Sequence, residues 1–202
     1  MAVPDIVLAS VSPRRAALLD QIHLPFRAHP SALGDDGEVQ LAGEHAEACA
    51  RRLALATARD VAAGLTHGLV IGADTVVTFG DRLLGKPRDP GEAQAFLLSL
   101  AGRTHRVITG VAVVEAATGR AEVDAAVTEV TMRPFDATEA ARYVATGEPM
   151  DKAGAYGIQG RGALLVAEIR GDYFNVVGLP LVLLAALLRR FGVELWGAQD
   201  AT

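Results

Sequence analysis

The chain has 202 residues with 19 basic and 24 acidic side chains, a formal net charge of -5. With a pI near 5.5, this argues against a protein that tracks nucleic acid, since binding a phosphate backbone needs a basic face. At 50% apolar and 21% charged it is neither disordered nor fibrous, and its length predicts one compact domain over 1–202.

Ile6-Val7-Leu8-Ala9 opens the chain as a buried strand. Ser12 then suits an N-cap and Pro13 the first position of a helix carrying Ala16 to Leu19, with Arg14 and Arg15 in its first turn. Residues 30–42 read as a loop, followed by a helix from Glu44 to Ala63. Leu69 to Phe79 reads as a strand interrupted at Asp74-Thr75 and turned back at Gly80-Asp81. A helix over Pro90–Ser99 comes next, then two β-runs, Val107–Val114 and Glu122–Met132, joined as a hairpin. A helix over Ala137–Thr146, a glycine-studded segment from Gly147 to Gly162, a strand over Leu164–Ile169 and a helix over Leu179–Phe191 complete the order. The stretch from Gly192 reads as a short tail with Trp196 as an apolar anchor. Early alternation followed by a hairpin predicts α/β architecture: a mixed central sheet flanked by helices.

A single cysteine, Cys49, excludes a disulfide framework within the chain and a cysteine-based zinc cluster. It reads as a packed thiol, and a reducing cytoplasm as the expected location. The N-terminus shows no secretory pattern. The apolar run Leu179–Leu188 is half the roughly 20 residues of a membrane span, so no membrane partner is expected.

Four features point to chemistry. Ser10, Ser12, Arg14 and Arg15 surround a helix start, where backbone N–H groups and guanidiniums converge on an anion. Adjacent arginines oppose the positive helix end unless an anion sits between them. Asp74 interrupts an apolar run, which is costly without a partner or a metal, and it is a candidate base or metal ligand with the Thr75 hydroxyl beside it. The two lysines, Lys86 and Lys152, stand against seventeen arginines and both lie in glycine- and proline-dense loops, which suggests sites needing a compact ammonium. Asp35 and Asp36 offer carboxylate oxygens to a divalent cation. The five histidines, lacking metal-ligand spacing, read as surface or helix-end residues. Together these suggest metal-assisted chemistry on a small polyphosphate.

The motifs Leu8-Ala9-Ser10-Val11-Ser12-Pro13-Arg14-Arg15, Gly72-Ala73-Asp74-Thr75-Val76-Val77, Gly85-Lys86-Pro87, Thr109-Gly110-Val111, the block from Tyr143 to Gly160, and Val177-Gly178-Leu179-Pro180-Leu181 resemble the Maf family of nucleoside triphosphate pyrophosphatases, in family order from residue 8 to 188. The resemblance implies an ITPase-like mixed sheet with a cleft between two lobes, a homodimer in many members, and Mg, Mn or Co as cofactor. It implies cleavage of a small-molecule nucleoside triphosphate between its α- and β-phosphates. Asp74 would be the proton acceptor and a metal ligand, Lys86 a second catalytic group, and Ser10, Ser12, Arg14, Arg15 and Lys152 contacts to substrate. Arg14, Thr75 and Gln159 would match the positions tied to substrate choice in the dTTP/UTP branch. A 7-methyl-GTP pyrophosphatase and a non-catalytic regulator of cell division are the alternatives. One departure stands out: Arg52-Leu53-Ala54-Leu55-Ala56-Thr57-Ala58 carries Thr57 where the family pattern has lysine, with Arg52 or Arg59 as candidate replacements.

Overall fold

The computed structural model describes residues 4–33, 41 and 43–196. Strands β1 (Ile6–Leu8), β2 (Arg27–Ala28), β3 (Leu69–Phe79), β4 (Arg82–Leu84), β5 (Thr104–Glu115), β6 (Ala121–Met132) and β7 (Val166–Arg170) form one seven-stranded sheet. Helices α1 (Pro13–Gln21), α2 (Ala46–Ala62), α3 (Pro90–Leu100), α4 (Ala137–Val144), α5 (Tyr173–Val177) and α6 (Leu181–Arg189) flank it. The order is β2-β1-β3-β5-β6-β7, with the first three strands parallel and the rest antiparallel. β4 pairs antiparallel with the end of β3. The expected mixed α/β sheet is the one observed.

β3 is apolar on both sides because both of its faces are covered. Leu69, Ile71 and Ala73 join α1 and α6 in one buried cluster, and Val77, on the same face by the two-residue period, joins another beneath α3 and α4. The sheet runs unbroken between the two clusters. On the opposite face Val70 packs with Ala54 and Ala58 of α2.

α2 lies close to the sheet because two strand residues lack a Cβ. One added at Gly72 would sit 2.3 Å from the Ala54 carbonyl oxygen, and one at Gly110 2.1 Å from that of Ala50. The helix answers with Ala50, Ala54 and Ala58, one turn apart and each 0% exposed.

Some elements depart from the sequence reading. β3 is continuous through Asp74 and Thr75, which stay in the ladder opposite Gly110 and Thr109. A charged side chain is tolerated there because β1 covers only Leu69–Ile71 of that edge and β4 only Val77–Phe79, leaving a gap between them. The strand expected from Leu164 begins at Val166, since 161–165 wind into a 3₁₀ turn. The last helix starts at Leu181, and α5, which the sequence reading lacks, ends at Gly178 with φ at 124°. Trp196 is 88% exposed and so lies outside the core formed by the described residues. His105 is no surface residue: it lies in β5 at 2% exposure, because its side chain enters the α3–α4 side of the core. No helix among the described residues is long and apolar enough to cross a membrane. Asp35 and Asp36 fall outside the described residues.

Candidate active site

β1 neighbours β2 on one side and β3 on the other, so its carboxyl end is a topological switch point, where open α/β sheets bind ligands. There Ser10 leads into α1, whose first N–H groups have no partner within the helix. Ser12 takes the N-cap position with extended backbone, but its side chain makes no capping bond, and its N–H donates to Ser10 Oγ at 3.1 Å. The first turn of α1 holds no acidic residue.

The two arginines differ. Arg15 donates from Nε to the Gly178 carbonyl at 2.9 Å, from Nη1 to Ser10 Oγ at 3.4 Å and from Nη2 to Thr75 Oγ1 at 3.3 Å. It ties the β1 turn, the β3 edge and the cap of α5 together. Arg14 reaches out to Asp151, at 3.7 Å and with 70% of the aspartate side chain exposed. Pairs of that kind contribute about 0–1 kcal/mol, so a polyanion can displace Asp151 at little cost.

The gap along β3 opens into a cleft of about 530 Å³. Its lining brings together Ser10, Ser12, Arg14, Arg15, Asp74, Thr75, Lys86, Lys152 and Gln159, which is every candidate that falls among the described residues. By strand alternation Asp74 points to the α2 side of the sheet and Thr75 to the side of α5 and α6.

Behind Thr75 lies a polar knot between the two apolar clusters. Asn175 of α5 is wholly buried: its Oδ1 accepts the Thr109 N–H at 3.0 Å, and its Nδ2 donates to the Val107 carbonyl at 2.9 Å and to Thr128 Oγ1 at 2.8 Å. Thr109 Oγ1 donates to the Asn175 backbone carbonyl at 2.9 Å and lies 2.9 Å from Thr75 Oγ1. Turning the Thr109 proton toward Thr75 would take that bond from a buried carbonyl, which costs about 1–3 kcal/mol. Thr75 is therefore the donor between the two hydroxyls.

Glu148, absent from the sequence candidates, shapes the far wall. Its Oε1 accepts from the Tyr143 hydroxyl at 2.8 Å and Gly162 N–H at 3.0 Å, and its Oε2 from Arg161 N–H at 2.9 Å. Burial pushes its carboxyl up, but the Gly162 and Arg161 N–H groups and Tyr143 outweigh that and hold it below the usual range. The loop carrying Gln159 winds closely around this carboxylate. A Cβ on Gly160 would lie 2.5 Å from Glu148 Oε2, and one on Gly157 2.7 Å from Lys152 Cε. Neither glycine has a left-handed φ, so a side chain at either would have to displace Glu148 or Lys152 from its bonds. Lys152 Nζ donates to the Glu148 carbonyl at 2.8 Å and to Asp151 Oδ1 at 2.6 Å, so this lysine braces the loop. The legible signal was the run Gly157, Gly160, Gly162 after a lone glutamate.

Beneath the same wall, His105 Nε2 bonds the Tyr156 hydroxyl at 2.8 Å, with the rings edge to face. Burial depresses the His105 pKa to about 4. Just before α2, Glu44 accepts two bonds of 2.8 Å from Arg52 of that helix, and Arg52 holds the Glu44 carboxyl down near 2. Cys49 is buried as expected, its thiol pushed up to about 11 by burial and by Glu44. Among the described residues, neither Arg52 nor Arg59, the candidate replacements for the lysine at Thr57, lines the cleft.

Among the described residues no three His, Cys, Asp or Glu side chains form a metal cluster. The donor set still fits a cation of the magnesium type, which is held by one or two carboxylates and completes its shell with water and substrate phosphates. Asp74 would be the protein ligand.

A mixed α/β sheet whose switch point opens on a helix start, two arginines, a lysine and an edge aspartate defines a class: a protein built to hold a small polyanion beside a carboxylate. The chain belongs to the Maf-like protein family, whose profile matches residues 5–191. It is 56% identical over 194 residues to a dTTP/UTP pyrophosphatase of Moorella thermoacetica, covering 95% of this chain and 97% of that one. A dTTP/UTP pyrophosphatase of Desulforamulus reducens is 47% identical over 191 residues, covering 94% and 98%, and one of Myxococcus xanthus 49% over 196 residues, covering 96% of each. Among solved structures, a nucleoside-triphosphatase (dITP/XTP pyrophosphatase) of Mycobacterium abscessus overlays loosely, with TM-score 0.44 and 18% identity over 93% of this chain and 96% of that one.

Proposed function

We propose that this chain is a nucleoside triphosphate pyrophosphatase that hydrolyses dTTP and UTP to the monophosphate and pyrophosphate. The observation that carries the reading is the convergence of Asp74, Lys86 and Arg14 on one cleft beside the α1 N-terminus, in a chain 56% identical to a protein of that name. Asp74 accepts a proton from water as the water oxygen bonds to the α-phosphorus. The bond from that phosphorus to the bridging oxygen breaks, and pyrophosphate leaves with the bonding pair. Arg14 and Lys86 offset the charge on the departing group, while Arg15 holds Ser10 and Thr75 in place. A divalent cation held by Asp74 supplies further charge neutralisation when bound. Gln159, with amide donors and an acceptor in the cleft lining, is the residue we assign to the base edge.

The experiment measures pyrophosphate release from dTTP and UTP with Mg²⁺ or Mn²⁺, comparing wild type with Asp74→Asn. The variant is expected to lose at least about a hundredfold in kcat, the usual worth of a general base. Equal rates would sink the role of Asp74, and no turnover of any nucleotide would favour a regulator that only binds.

A further inference from the structure

Thr75 has one hydroxyl proton, and the buried network takes it. Thr109 Oγ1 gives its own proton to the Asn175 carbonyl, so the hydroxyl–hydroxyl bond is donated by Thr75. Arg15 Nη2 donates to the same Thr75 oxygen. What Thr75 offers the cleft is therefore an acceptor. A phosphate oxygen, itself an acceptor, has no partner there. At neutral pH the donors on a nucleoside triphosphate are base N–H groups and ribose hydroxyls.

We propose that Thr109, wholly buried and outside the cleft lining, is a positioning residue that fixes this polarity and makes the site select nucleotides presenting a donor to Thr75. The donor is the ring N–H of a thymine- or uracil-type base or a ribose hydroxyl. The inference rests on the pyrophosphatase reading above. It assigns selectivity to a side chain that touches no substrate, acting through the bond order Arg15 to Thr75 to Thr109 to Asn175.

The test is steady-state kinetics of wild type, Thr109→Val and Thr109→Ser on dTTP, dCTP and 3′-O-methyl-dTTP. dCTP carries an acceptor at the ring position where thymine carries N–H, and the methyl ether turns the hydroxyl donor into an acceptor. In Thr109→Val the Thr75 proton is released and can turn outward. If the base supplies the donor, the dTTP to dCTP ratio of kcat/KM narrows about tenfold in this variant. If the ribose supplies it, the narrowing falls in the ether arm instead. Thr109→Ser, which keeps the hydroxyl, retains the wild-type ratios. Should Thr109→Val fail to fold, Thr75→Val removes the acceptor while leaving the Thr109–Asn175 bonds intact, and it too must narrow one of the ratios. Unchanged ratios overturn the inference. So does an equal fall in kcat with all three nucleotides, because Thr75 would then serve the attacking water. If wild type turns over none of them, the pyrophosphatase reading itself fails, and this inference with it.

Discussion

Gly110→Ala tests whether Asp74 depends on the close seating of α2. Gly110 lies directly opposite Asp74 in the β3–β5 ladder. A Cβ there would stand 2.1 Å from the Ala50 oxygen, 2.3 Å from its carbonyl carbon and 2.7 Å from Arg51 N, all backbone atoms of α2. Ordinary contact begins near 3.4 Å, so helix and sheet must part by about 1.3 Å. Overpacking of a well-filled core costs about 1–3 kcal/mol. Backbone cannot rotate out of the way, so the upper end applies, about 3 kcal/mol. For a chain of this length that is a fall of about 6–12 °C in Tm. Urea titration with circular dichroism reads the stability, and pyrophosphate release reads the site. Gly64→Ala, whose Cβ would meet only the Val61 oxygen at 3.7 Å, is the control and should stay within about 0.5 kcal/mol. A further check uses Ala50→Gly: because the clash is with backbone, truncating that side chain should not rescue Gly110→Ala. A Gly110→Ala protein within about 1 kcal/mol of wild type, or rescued by Ala50→Gly, would refute the argument.

Two further perturbations follow. Glu148→Gln replaces an oxygen that accepts from donors with a second donor, so the loop carrying Gln159 should loosen; the expected result is a KM for dTTP raised about tenfold or more with a smaller change in kcat, as fits a lost charged hydrogen bond of about 1.5–3 kcal/mol. An unchanged KM would show that the loop holds its shape without that carboxylate. His105 titrates near 4 in the fold against 6.5 when unfolded, so below pH 6.5 the unfolded chain binds the extra proton and stability falls as pH drops toward 4. The integrated loss is roughly 3 kcal/mol. Glu148, with its carboxyl held down, adds a loss in the same direction as pH falls through its folded value. His105→Gln should flatten the slope of unfolding free energy between pH 6.5 and 4, and parallel slopes for the two proteins would assign the acid sensitivity elsewhere.

What was legible in the sequence was local. Ser10 to Arg15, Asp74 in its apolar run and the two lysines each stand out within a few residues of chain, and the structure gathers all of them at one cleft. What was not legible depends on distance along the chain. Asn175 reaches Thr109 across 66 positions, and Tyr156 meets His105 across 51. Nothing near Asn175 marks it, since its value lies in filling a polar seam between two apolar clusters. His105 looked like a surface residue because it stands before the β-run expected from Val107, whereas the strand begins at Thr104 and the Tyr156 hydroxyl partners the buried ring. The break expected at Asp74 shows the same limit in reverse: the charge was noticed, but the unpaired stretch of strand edge that accommodates it is bounded by β4 on one side and, on the other, by β1, which is far away in sequence.

The adjacent arginines carry the point furthest. On sequence alone Arg14 and Arg15 were one feature, a doubled positive charge at a helix start. Successive helix residues point about 100° apart, so neighbours in a first turn face different surroundings. Arg15 faces the sheet and spends its three donor atoms on Gly178, Ser10 and Thr75. Arg14 faces the cleft mouth and a solvated aspartate. The rare lysines lie on neighbouring segments, since Gly154 N–H donates to the Gly85 carbonyl at 3.1 Å: Lys152 is held by the Glu148 carbonyl and Asp151, and Lys86 lines the same cleft. Arg15 and Lys152 each brace the wall of the cleft that all four cations line. Removing Arg15 or Lys152 should register as lost geometry, whereas removing Arg14 or Lys86 should register as lost neutralisation of the leaving pyrophosphate.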